Sequence, residues 1–185
     1  NSVFKSCKSL KKIEIPNSVT VIEESSFEDC SSIKEATLSH QINEIQSNSF
    51  KNCSSLTNIT IPDSLISLGK SCFEGCTSLK EVILSKAIKE IHPFAFQNCS
   101  SLISIIIPDS LISLGEHCFN CCSSLKEVTL SKAMKEIQPN TFKDCSSLIN
   151  ATFPDSINSI GQSCFLRCSS LIEITLPASL TSIDY

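Results

Sequence analysis

Apolar and polar residues along the chain fall into columns that repeat without an insertion or deletion. In "FKNCSSLTNITIPDSLISLGKSCFEGC", residues 50 to 76, an F-x-x-C tetrapeptide opens and closes one unit. Phenylalanine recurs at Phe4, Phe27, Phe50, Phe73, Phe96, Phe119, Phe142 and Phe165, a period of 23 residues. Cysteine follows three residues behind each, from Cys7 to Cys168, and Leu or Ile three residues later, from Leu10 to Leu171. A fixed period in this range marks a solenoid, in which each unit packs only on its neighbours. The reading is one domain over residues 1–185, made of eight units. Because the chain starts and stops inside the pattern, without atypical end units, it reads as a fragment of a longer protein.

Within a unit, Leu56, Ile59 and Ile61 alternate with Asn58 and Thr60, the period-2 pattern of a strand. Pro62 fits where the strand stops, and Ser39, Ser85 and Ser131 take that place in the intervening units. Leu65, Leu68, Cys72, Phe73 and Cys76 then follow at spacings of three and four, which predicts tight turns with a short helical or 3-10 segment. One short parallel strand per 23-residue unit, stacked at about 4.8 Å, gives a body about 35 to 40 Å long. The looser side should be the wider, convex one, so the stack should curve.

The segments "LTNITI", "LKEVTL" and "LIEITL" resemble the L-x-x-L-x-L strand of leucine-rich repeats, and "IPxSLxxLGxxCFxxCxSL" sharpens the resemblance to the BspA-like, or Treponema pallidum, type over the whole chain. The fold class it implies is an α/β leucine-rich repeat solenoid, a curved right-handed superhelix with strands inside and turns and short helical segments outside. The usual Asn or Cys after the last strand leucine is absent, since that column reads Ser18, Gln41, Ser64, Ala87, Ser110, Ala133, Ser156 and Ser179. Ala36 and Ala151 should thin the strand core, with Phe153 refilling space beside Ala151.

A second period of 46 residues lies over the first: "IIPDSLISLGEHCF" copies residues 60–73, and "LSKAMKEIQPNTF" copies "LSKAIKEIHPFAF". Gly69, Gly115 and Gly161 occupy a column that holds Gln46, His92 and Gln138 in the other subtype, so a positive φ is permitted there without being required.

The 12 cysteines are where metal or redox chemistry would have to reside. Cys72, Cys118 and Cys164 share a column with Ser26, Ser49, Ala95 and Thr141, whose common property is small size. The main column reads as buried free thiols packed as small hydrophobes. Cys121 lies outside both columns and should be exposed or irregular. No metal site is expected, because four ligands must converge. His40, His92 and His117 fall at three different repeat positions. Glu127 and Glu173 are two units apart with no cleft implied, and there is no phosphate loop, G-x-S-x-G or H-E-x-x-H. Neither an enzyme nor a cofactor is expected.

The candidate protein-binding surface is the strand face, whose two outward positions read Lys12/Glu14, Glu35/Thr37, Asn58/Thr60, Glu81/Ile83, Ser104/Ile106, Glu127/Thr129, Asn150/Thr152 and Glu173/Thr175. Threonine is an ordinary choice for an exposed strand. Ile83 and Ile106 are neighbouring apolar residues in that column and form a small contact patch. With 15 basic against 19 acidic residues and no basic stripe, nucleic acid is not expected as a partner. No stretch approaches the roughly 20 apolar residues of a membrane helix, so no membrane contact is expected from this segment. Asn52, Asn58, Asn98 and Asn150 begin formal glycosylation sequons, and glycans on Asn58 or Asn150 would obstruct the face. What the resemblance implies is a cell-surface or secreted adhesin-like protein binding host-cell, matrix or other microbial proteins. The alternative is an intracellular, cytoplasmic scaffold, favoured by many free thiols, and a plain spacer is the third reading.

Overall fold

In the computed structural model, which describes residues 2–184, each 23-residue unit contributes two strands. Eight three-residue strands, from Lys12–Glu14 to Glu173–Thr175, line one face in parallel as two four-stranded sheets that adjoin between Glu81–Ile83 and Ser104–Ile106. Eight two-residue strands, from Val21–Ile22 to Ser182–Ile183, stack in parallel on a second. Pairing is strictly in column: Ile13 opposes Ala36, Ile59 opposes Val82, and Val128 opposes both Ile105 and Ala151. An unbroken period forces this register, since a one-residue slip would turn every core side chain outward.

The expectation of an α/β solenoid with helical segments is overturned. The described residues hold strands and turns and no helix, so the fold is all-β. The expected single strand per unit is likewise corrected to two. The cause lies in two columns of positive φ that bracket each phenylalanine, exemplified by Ser25 (φ 55°) and Asp29 (φ 61°), and by Asn48 and Asn52 (φ 59° each). A left-handed residue every four positions ends any helix before it completes a turn. Alternate amides then bond along the stack: Ser25, Phe27 and Asp29 donate to the carbonyls of Ser47, Ser49 and Lys51 in the next unit at 3.0, 2.8 and 2.8 Å. The amides between them bond back three residues, as Cys30 does to Phe27 at 3.2 Å. The turn wall is therefore a hydrogen-bonded ladder in its own right, which satisfies buried backbone groups without a helix.

Inside, the phenylalanines form a continuous stack from Phe4 to Phe165, with ring centroids 5.1–5.6 Å apart and interplanar angles of 2–16°. That spacing exceeds the approximately 4.8 Å between paired strands, so the stack opens gently toward the ring wall and the three-residue strands lie on its inner side. Leu56, Leu79, Leu102 and Leu125 fill the layer behind those strands with no exposed area. Ala36 is half-buried, as are Ile13 and Leu38 near it, whereas Ala151 is buried. Phe153, buried beside Ala151, sets its ring edge-on to Phe165 at 5.8 Å.

The glycine column has a different cause from the torsional one considered above. Gly69, Gly115 and Gly161 are not among the residues with positive φ; of the four glycines only Gly75 is, at 73°. A Cβ on Gly115 would stand 2.3 Å from the Pro93 nitrogen and 2.6 Å from the His92 carbonyl carbon, and one on Gly69 would stand 2.5 Å from the Gln46 carbonyl carbon. Here the backbone of one unit runs against that of the unit before. Gly115→Ala is expected to cost about 1–3 kcal/mol, because backbone cannot yield as a side chain can. Gly75→Asn, which meets only the flexible Asn52 amide and suits a left-handed position, should cost less. Equal urea midpoints for Gly115→Ala and the parent chain would refute this account.

Candidate binding surface

The three-residue strands carry every residue of the predicted face outward. Lys12, Glu14, Glu35, Thr37, Asn58, Thr60, Glu81, Ile83, Ser104, Ile106, Glu127, Thr129, Asn150, Thr152, Glu173 and Thr175 are all exposed, and the middle residue of each strand points inward. The pairing Lys12–Glu35, Asn58–Glu81 and Ser104–Glu127 makes one outward column. Glu14–Thr37, Thr60–Ile83 and Ile106–Thr129 make the other. At the N-terminal end Lys12 Nζ lies 2.9 Å from Glu14 and 3.7 Å from Glu35. The Glu14 contact raises the Lys12 pKa and holds the Glu14 carboxyl below its ordinary value.

Physical spacing explains the 46-residue alternation. An in-register parallel stack sets identical columns about 4.8 Å apart, where like charges oppose each other directly. Placing Glu35, Glu81, Glu127 and Glu173 in every second unit, with Asn58, Ser104 and Asn150 between, doubles that spacing to about 9.6 Å, near the Debye length. Exposed Lys34, Lys80 and Lys126 precede three of these glutamates and follow the same rule.

The cysteines are free throughout. Their column does more than fill space, because each thiol donates to the phenylalanine carbonyl 26 residues earlier: Cys53 to Phe27 at 3.2 Å, Cys76 to Phe50 at 3.2 Å, Cys145 to Phe119 at 3.1 Å. Burial pushes these thiols far up, and Cys164, in the small-residue column, up to about 12. Cys121 is only partly buried, at φ 61°, with its thiol donating to Asn120 Oδ1 at 3.0 Å. Desolvation raises its pKa as well. The most open thiol is instead Cys7, which has a neighbouring unit on one side only. Alkylation of native protein near pH 7.5 should therefore label Cys7 first, Cys121 and Cys168 more slowly, and the rest only on unfolding. Early labelling of Cys76 or Cys99 on mass mapping would contradict the burial.

His92 Nε2 lies 3.8 Å from Glu90, while His117 stacks on Phe94 at 4.9 Å and shares a 3.0 Å hydrogen bond with Asn120. Phe94 itself, at φ 63°, is a bulky residue in a left-handed position where the other units have Ser or Asn, or His at His117. Lys70 Nζ sits 5.4 Å from its ring centroid. Among the described residues no three His, Cys, Asp or Glu side chains are grouped as a metal would require.

One surface escaped the sequence reading. A groove of about 1210 Å³ runs along the turn edge past Asp29, Asn52, Asn98 and Asp144. Its hydroxyls are engaged in the stack: Ser54, Thr77, Ser100 and Ser123 each donate to a carbonyl 23 residues earlier at 3.4 Å. The signal for it was αL-tolerant Asp, Asn or Gly two residues after five of the eight repeat phenylalanines, at Asp29, Asn52, Gly75, Asn98 and Asp144. All four sequon asparagines are exposed, Asn52 and Asn98 at this groove and Asn58 and Asn150 on the strand face.

The family described as BspA type leucine rich repeat region matches residues 1–107 and 89–185, with six copies of the repeat. The chain belongs to the BspA type leucine-rich repeat family. Among solved structures it is similar to the T. pallidum leucine rich repeat protein, with TM-score 0.65 and 25% identity over 92% of this chain and 69% of that one. It also resembles the pneumococcal vaccine antigen PcpA, with TM-score 0.68 and 26% identity over 92% of this chain and 51% of that one. A leucine rich cell surface protein from Faecalibacterium prausnitzii shares the fold, with TM-score 0.67 and 23% identity over 96% of this chain and 57% of that one. The chain thus spans about half to two thirds of the length of these solved structures. No curated protein matches it.

Proposed function

We propose that this BspA-type chain is a protein-recognition module of a surface or secreted adhesin-like protein, with the three-residue strand face as its binding surface. The observation that carries the reading is an open, rigid face whose outward residues vary while the core beneath keeps one pattern, with Ile83 and Ile106 exposed at its middle. The structurally similar proteins named as a cell surface protein and a vaccine antigen support the location. The ligand in this reading is a protein of a host cell, a matrix or another microbe.

The free thiols favour a second reading, an intracellular scaffold. Their weight is small, because a buried and protonated thiol resists oxidation in any compartment. Two measurements test the proposal. An antibody against this segment should label intact, non-permeabilised cells; labelling only after permeabilisation would favour the scaffold. A photo-crosslinking residue at Thr129 should capture a partner protein that the same residue at Glu136, exposed on the second sheet, does not. Identical capture at both positions would remove the strand face as the binding surface.

A further inference from the structure

The middle of the strand face differs from its ends. Ile83 and Ile106, 53% and 81% exposed, stand where the other strands from Thr37 to Thr175 present threonine. In the neighbouring column Glu81 and Glu127 flank Ser104 and, like Glu173, make no ion pair among the described residues, whereas Glu14 and Glu35 at the N-terminal end are both held by Lys12. Regular pairing of the sheet also lapses here, between Glu81–Ile83 and Ser104–Ile106.

Two strand spacings put the Glu81 and Glu127 positions about 9.6 Å apart, and the step from residue i to i+2 sets the isoleucine column about 6.6 Å to the side. We propose that this spot binds an extended segment of a partner protein carrying two basic residues three positions apart, with an apolar residue between them. Three residues of polyproline chain span about 9.3 Å, which matches the carboxylate spacing and returns the first and fourth side chains to one face, whereas a β-strand would turn them to opposite faces. A helix, about 10–12 Å across, is wider than the two columns it would have to cover. The basic side chains meet the two carboxylates and the apolar one meets Ile83 and Ile106, so charge and apolar complementarity act together. Lys80 and Lys126 precede the two glutamates and are exposed, so a run of consecutive basic residues would meet them and be repelled. The inference rests on the strand face being the recognition surface.

The test uses dye-labelled peptides with the core Arg-Leu-Ala-Arg and the isomer core Arg-Arg-Leu-Ala in identical flanks, titrated against the chain by fluorescence anisotropy at physiological salt. The spaced peptide should bind about fivefold or more tightly than its isomer. Glu81→Gln with Glu127→Gln should erase that preference, whereas Glu90→Gln with Glu136→Gln, exposed on the second sheet, should leave it intact. Ile83→Thr with Ile106→Thr, which installs the residue this column holds elsewhere, should weaken binding about fivefold or more. Equal binding of the isomers, or tighter binding of a helical peptide with the same charges, overturns the inference. If the peptides are not discriminated but the isoleucine variant still abolishes capture at Thr129, the motif falls and the strand-face reading stands. If capture is also identical at Thr129 and Glu136, both fall.

Discussion

Raising the pH to about 10, in the presence of a non-thiol reductant, is expected to unfold the chain cooperatively, well before its lysines lose their charge. Cys30, Cys53, Cys72, Cys76, Cys99, Cys118, Cys122, Cys145 and Cys164 are buried. Desolvation raises the pKa of each, to about 12 for Cys164 and higher still for the innermost. An unfolded thiol titrates near 8.5. The folded state therefore holds more protons than the unfolded state from about pH 8.5 upward. Stability is fully present below that value and is lost as pH rises toward the folded pKa values. Each unit of pH above the unfolded value removes about 1.4 kcal/mol per thiol. The eight of these other than Cys30 together remove roughly 11 kcal/mol by about pH 9.5, as much as the whole stability of many domains. Dichroism and thiolate absorbance should change together, with a midpoint between about pH 9 and 10. Thiolate absorbance that grows gradually from about pH 8 while dichroism stays constant would show that the thiols are open to solvent.

The second large effect should come from the ring stack. Phe96 has no exposed area and lies between Phe73 and Phe119, each 5.5 Å away. Phe96→Ala is expected to cost about 3–5 kcal/mol in urea unfolding, since the adjoining coils are hydrogen-bonded on several sides and cannot close the gap. Phe4, 42% exposed with one stacking partner, should lose only about 1 kcal/mol on the same change. Because a solenoid is held by nearest-neighbour interfaces, the break at Phe96 should also separate the two halves, giving a broader transition than Phe4→Ala does. Equal losses at the two positions would refute a continuous stack.

Much of the fold was legible from the sequence because its period is exact to the residue. A strand at Asn58–Thr60 with Ile59 inward followed from alternation alone, and so did the outward direction of Asn58, Thr60 and their counterparts. Free buried cysteines followed from the company they keep in their columns. What was misread was the segment around each phenylalanine. Spacings of three and four suit a helical turn and a chain of tight turns equally, and the deciding residues, such as Asn48 and Asn52, act through a backbone sign that apolar periodicity does not report. Gly115 was read as a torsional option and proved to be a point of backbone contact. Of the candidate surface, exposure was foreseen, while the unpaired state of Glu81 and Glu127 beside the paired Glu14 and Glu35 was not, because it depends on which side chains reach each other.

By itself the sequence determined that the chain is a stack of equal units in register, which residues face inward, and which columns run along the surface. Those follow from one period repeated without error, since identical units can bury identical stripes only by translation. The tertiary structure alone decided that the turn wall is a ladder rather than a helix, that a second sheet forms, that the main-column thiols from Cys30 to Cys168 each have a carbonyl to bond, and that glycine alternates to admit its neighbour's backbone. Each of these depends on groups some 22 to 26 residues apart meeting across the stack, and no local pattern of polarity encodes which of two neighbouring coils an amide or a thiol will face.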